Sequence, residues 1–109
     1  MNRLHIAKLV ISIDSKWNLG CNFKYSCEEG MFIYDNKTRC YRGNGLLISE
    51  DISCVAVDNR IELTKGFIKP LNEEELKNVE DTMKVEFMSL LREYKGKLLE
   101  RRKYIYKGY

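Results

Sequence analysis

The hydrophobic period of this chain changes once, at Pro70, and that change decides what the chain can fold into. Up to residue 69, apolar residues alternate or run in short blocks between turn residues; from residue 71 they recur at spacings of three and four. A period of two followed by a period near 3.6 specifies a sheet and then a helix, so the fold class is α+β. The length of 109 residues suits one domain, because either regime alone would hold almost no core. The expected organisation is a single domain 1–109, with a β-sheet region 1–69, a C-terminal helix 71–102 and an extended tail or short strand 103–109.

Within the first regime, Arg3 to Ile13 is distinctive because both alternation sets are apolar: Leu4, Ile6 and Val10 in one, Ala7, Leu9, Ile11 and Ile13 in the other. That pattern suits a central strand covered on both faces. Asn22 to Ser26, Met31 to Tyr34, Thr38 to Arg42, Leu46 to Ser49, Ile52 to Val57 and Ile61 to Lys69 are the remaining strand candidates. Asp35-Asn36-Lys37, Gly43-Asn44-Gly45 and Asp58-Asn59 stand between them as hairpin turns, Asn-Gly being the pair best suited to positive φ in a tight turn. Short strands joined by tight turns give an antiparallel meander of four to six strands, either open and twisted or partly closed as a small barrel.

The helix start is well specified. Asn72 is an N-cap with Glu75 three residues later, and Leu71 and Leu76 flank it as a hydrophobic staple just after Pro70. Leu76, Val79, Met83, Phe87, Leu90, Tyr94 and Leu98 form one apolar stripe, with Val85, Met88, Leu91 and Leu99 widening or leaving it. A helix unbroken to Arg102 would be about 46 Å long, more than the width of a domain this size. Either Gly96 ends or kinks it, or its distal part projects toward a partner.

The net charge of +3 conceals an uneven distribution. Residues 71–94 carry three basic and seven acidic groups, whereas residues 95–109 carry six and one. Such a gradient follows the helix macrodipole. It also gathers Lys95, Lys97, Arg101, Arg102, Lys103 and Lys107 near Tyr104, Tyr106 and Tyr109, a cation-and-aromatic composition suited to nucleic acid.

Catalytic readings are narrowed by a single histidine, His5. Thiol catalysis would need Cys21, Cys27, Cys40 or Cys54 beside it. The cysteine gaps lack the close pair of a structural zinc site. Asp14 at one strand end and Asp35-Asn36-Lys37 at another resemble the metal-dependent nuclease pattern of an Asp, a spacer and Asp-x-Lys; that resemblance implies Mg²⁺ held by Asp14 and Asp35, with Lys37 polarising water. The same Asp35-Asn36-Lys37 is an ordinary turn sequence. Gly43-x-Gly45 lacks the remaining parts of a dinucleotide loop, so no cofactor is expected.

No export signal is read: the apolar start is interrupted by Lys8, and Asn18 departs from a lipoprotein signal before Cys21. A cytoplasmic setting with reduced thiols is the expectation, in which the cysteines are core or strand residues. Twelve Lys, nine Ile, eight Asn and seven Tyr against two Ala are a usage typical of AT-rich genomes, including phages and mobile elements. The leading functional expectation is a small non-catalytic protein that binds and regulates or inhibits another protein, such as a component of a host defence system. Self-association through the C-terminal helix accompanies it. Its contact residues are Trp17, Tyr94, Leu98, Arg101, Arg102, Tyr104 and Tyr106. A nucleic-acid-binding regulator and a small Mg²⁺-dependent nuclease are the alternatives.

Overall fold

The computed structural model describes residues 3–16, 18–57 and 59–107, and the side chains of these except residues 13, 57 and 94–107. Among the described residues, seven strands precede one helix: β1 (Arg3–Ile13), β2 (Leu19–Glu29), β3 (Ile33–Asp35), β4 (Cys40–Gly43), β5 (Leu46–Ser49), β6 (Ser53–Val57), β7 (Arg60–Phe67) and α1 (Glu73–Lys107). They form two antiparallel sheets, a four-stranded one in the order β2-β1-β7-β6 and a three-stranded one in the order β3-β4-β5.

Both apolar sets of β1 find cover. Ala7, Leu9 and Ile11 turn toward α1 and are buried with Ile61, Leu63, Met83, Phe87 and Leu91. Leu4 and Ile6, on the other face, are buried with Phe32 and Tyr41 of the small sheet. The molecule is therefore layered as helix, large sheet and small sheet. Only the first part of the second β1 face is covered, because Lys8 and Val10 line an open cleft.

Two sheets and seven strands replace the expected single meander of four to six, and neither sheet closes into a barrel. The change of sheet follows Glu29. Gly30 has φ 148°, and the Asn44 side-chain amide donates to the Glu29 carbonyl, turning the chain out of the large sheet. Asn44 and Gly45, at φ 51° and 73°, then supply the two positive-φ residues of the tight β4–β5 turn. Local turns thus set the small sheet, whereas the β1–β7 pairing joins segments far apart in the chain.

Helix α1 starts as expected: the Glu75 amide donates to Asn72 Oδ1 at 2.8 Å, and the Asn72 amide donates to Glu75 Oε1 at 3.3 Å. The Leu71 amide donates to Tyr25 Oη at 2.8 Å, fastening the helix start to β2. Asn72→Ala removes a reciprocal cap and is expected to lower folding stability by about 1 kcal/mol in urea titrations, whereas Asn72→Asp stays near wild type.

The other end departs from expectation. Of the two expected courses, a break at Gly96 and an unbroken helix, the chain takes the second, and the helix runs 35 residues to Lys107, past the expected end at residue 102. A helix-interior glycine costs only about 1 kcal/mol, less than breaking an established helix. From Lys103 to Lys107 the backbone groups are satisfied within the helix. Leu91 belongs to the buried stripe, while Val85 and Met88 are exposed.

Candidate interaction surfaces

The outer face of the small sheet carries a concentrated apolar patch. Register places Ile33 opposite Arg42 and Arg42 opposite Leu47, so one row crosses three strands with a guanidinium between two aliphatic side chains. Met31 stands two residues before Ile33. Met31 and Ile33 are each 73% exposed and Leu47 60%, whereas the alternate residues Phe32 and Tyr41 are buried. Strand alternation explains both facts: a short sheet that turns Tyr34, Tyr41 and Ile48 inward, with Phe32 just before it, must turn the intervening residues outward. The aliphatic residues at those outward positions are left exposed by the fold.

A polar network braces the same sheet. Tyr34 Oη donates to Glu50 Oε2 at 2.6 Å, Arg39 Nε donates to the same oxygen at 3.3 Å, and Arg39 also pairs with Asp51 at 3.4 Å. The Tyr34 hydrogen bond, aided by Arg39, holds the Glu50 carboxyl below its ordinary value of 4.5 and pushes the Tyr34 phenol up. Asp14 and Asp35 are also lowered, chiefly by the backbone amides of Asn18 and Lys37. Carboxyls lowered in the folded state stabilise it above their ordinary values and lose that contribution as pH falls through the lowered ones. The melting midpoint should therefore drop on acidification below about pH 4.5, and Glu50→Gln should flatten that drop without removing the Asp14 and Asp35 parts.

The expected nuclease residues are not brought together. Asp14 accepts from the amides of Lys16 and Asn18 and from the Asn18 side chain, closing its own loop at the far end of β1. Asp35 accepts from the Lys37 amide at 2.9 Å in the β3–β4 turn. Asp14 lies ten extended residues, about 33 Å, from Leu4. Asp35 instead follows Tyr34, which packs against the Leu4 cluster. Among the described residues, no three His, Cys, Asp or Glu side chains are grouped to hold a metal.

His5 lies opposite Cys27 across β1–β2, but its ring is stacked on Tyr25 with centroids 6.0 Å apart. All four cysteines are free and on strands; Cys21, Cys27 and Cys54 are exposed rather than in the core, because β2 and β6 are edge strands. Partial desolvation, with a smaller contribution from Glu86, pushes the Cys54 thiol up.

Trp17 lies outside the described residues. Tyr94, Leu98, Arg101, Arg102, Tyr104 and Tyr106 lie on the distal part of α1, as do Lys95, Lys97, Lys103 and Lys107. At about 100° per residue, the six basic positions are spread around the helix axis rather than along one stripe. None of the described helices is long and apolar enough to cross a membrane.

Two features escaped the sequence reading. One is the cleft of about 370 Å³ beside the small sheet, where Lys8 and Lys24 stand directly opposite each other, near Glu28 and the Arg60–Glu62 pair. The other is β2 itself: eleven residues long and exposed along most of its length, it pairs only with β1 among the described residues. Asn22, Lys24, Ser26 and Glu28 alternate on one β2 face, a period-two signal that marked a strand but not its position at an edge.

The chain matches no protein-family model, no curated protein and no solved structure in comparisons with each.

Proposed function

We propose that this protein is a non-catalytic binding module that regulates or inhibits another protein, and that it engages its partner with the outer face of the small sheet. The exposed row Ile33–Arg42–Leu47, with Met31 beside it, carries this reading. Aliphatic side chains around an arginine are the composition of an interface centre: the methyl groups exclude water and the guanidinium provides several directed donors. The sheet bearing them is braced by Tyr34, Arg39 and Glu50 and anchored through Phe32 and Tyr41. A rigid presenting surface loses little freedom on binding. A host-directed role for a phage or mobile-element protein agrees with the composition and with this surface.

The test is affinity capture from the native host with wild type and Ile33→Asp/Leu47→Asp. A specific protein retained by wild type and lost by the double variant, with unchanged circular dichroism, supports the reading. Equal capture by both, or no specific partner, removes it. Sequencing any retained nucleic acid in the same samples tests the alternative, which requires binding that weakens steeply with salt and depends on residues 101–109.

A further inference from the structure

We propose that two copies of this chain pair through β2, antiparallel about a two-fold axis at Ser26, to form one continuous eight-stranded sheet. Among the described residues the β2 edge faces no second strand along its eleven residues, and its end carries the Asn44 amide bond to the Glu29 carbonyl. The other layers leave the middle of this edge open: β5 packs chiefly against β7 and α1 against β1, and the small sheet meets β2 across the cleft and at its end, where Asn44 reaches the Glu29 carbonyl.

Charge selects both the occupant and the register. Directly opposed residues in an antiparallel pair share a face, so a two-fold axis normal to the sheet must pair even positions with even positions. With the axis at Ser26, Lys24 of each copy lies opposite Glu28 of the other. Tyr25 then lies opposite Cys27, and Phe23 opposite Glu29. Placing the axis at Lys24 instead would align Lys8, Lys24, Lys24 and Lys8 across four strands, since Lys8 already stands opposite Lys24 within each copy. Placing it at Tyr25 would set Lys24 against Ser26 and pair no opposite charges between these residues. Only the Ser26 axis sets a carboxylate directly opposite each Lys24, and it does so twice.

The helices permit this pairing. Neighbouring strands are about 4.8 Å apart, so the two β1 strands, three spacings from each other, are about 14 Å apart. Helices lying over them clear the 8–10 Å of direct helix packing. The dimer also leaves the Ile33–Arg42–Leu47 surface free on each copy, so it stands independently of the partner reading above.

Sedimentation equilibrium of the full chain across micromolar concentrations should show a monomer–dimer equilibrium. Lys24→Glu or Glu28→Lys alone should raise the dissociation constant at least about tenfold, and Lys24→Glu/Glu28→Lys together should restore it. In a background with all four cysteines changed to serine, Ser26→Cys should cross-link between copies with a short thiol linker and Lys24→Cys should not. A monomer throughout this range overturns the proposal. So does a dimer indifferent to both charge changes and uncross-linked at Ser26, which is the result expected if α1 alone joined the copies. Lys24, Ser26, Glu28 and three of the four cysteines are exposed and Cys40 is half-buried, and circular dichroism checks that each variant folds.

Discussion

Leu9→Ala is expected to lower folding stability by about 2–5 kcal/mol, a large share of the roughly 5–15 kcal/mol available to a domain of this kind. Leu9 is completely buried, at the middle of the central strand, opposite Phe23 on one side and Leu63 on the other. It belongs to the cluster that joins the sheet to Met83, Phe87 and Leu91 of α1. Removing its branched end forfeits transfer free energy and leaves a cavity that a hydrogen-bonded central strand cannot move to fill. Leu47→Ala, at a 60% exposed position, should stay within about 0.5 kcal/mol of wild type. Urea midpoints for the two variants provide the check: similar losses would mean that the helix-to-sheet core is not the main source of stability.

Gly66→Leu should destabilise the fold by about 1–3 kcal/mol by a different route, wedging the two sheets apart. Gly66 lies opposite Ile6 on β1, where the small sheet approaches the large one. A Cβ there would stand 2.8 Å from Ile48 Cγ2, 3.2 Å from Tyr41 Cδ2 and 3.4 Å from the Ser49 carbonyl. Gly66→Ala already forces Ile48 to move, because its Cγ2 stands closer than Cβ contacts normally come, but the added group is smaller. A leucine must displace Tyr41 and Ile48 together, and both belong to the cluster that seats the small sheet. Near-ultraviolet circular dichroism, reporting on Tyr34 and Tyr41, should change along with the denaturation midpoint. A Gly66→Leu protein as stable as wild type, with unchanged tyrosine signals, would show that the sheets do not approach as closely as described.

Legibility followed the range of the interaction. Arg3 to Ile13 was readable as a central strand because burial on both faces leaves apolar residues in both alternation sets, and β1 has those bounds. Leu46 to Ser49 and the Asn44-Gly45 turn were readable because positive φ is demanded locally. The Asn72–Glu75 cap was readable because all its bonds lie within four residues. β2 was seen only as its central part: as an edge strand it has few buried residues, and hydrophobic alternation weakens where burial does. The helix end was only bracketed, since Gly96 allowed either a break or an unbroken helix, and α1 runs on to Lys107 because an interior glycine costs only about 1 kcal/mol.

The candidate surfaces show the same division. Asp14 and Asp35 had the residue types of a metal site, but each carboxylate is engaged in its own turn, and only tertiary structure could separate them along β1. The Ile33–Arg42–Leu47 row joins residues from three strands, and its exposure depends on which face of the small sheet is buried. By itself the sequence determined the α+β class, the central strand, the tight turns and the helix start, because alternation, positive φ and capping act over a few residues. Tertiary structure alone decided the split into two sheets, the open β2 edge and the outward face of the small sheet. These depend on the β1–β7 pairing and the close approach at Gly66, contacts between distant segments that no local pattern encodes.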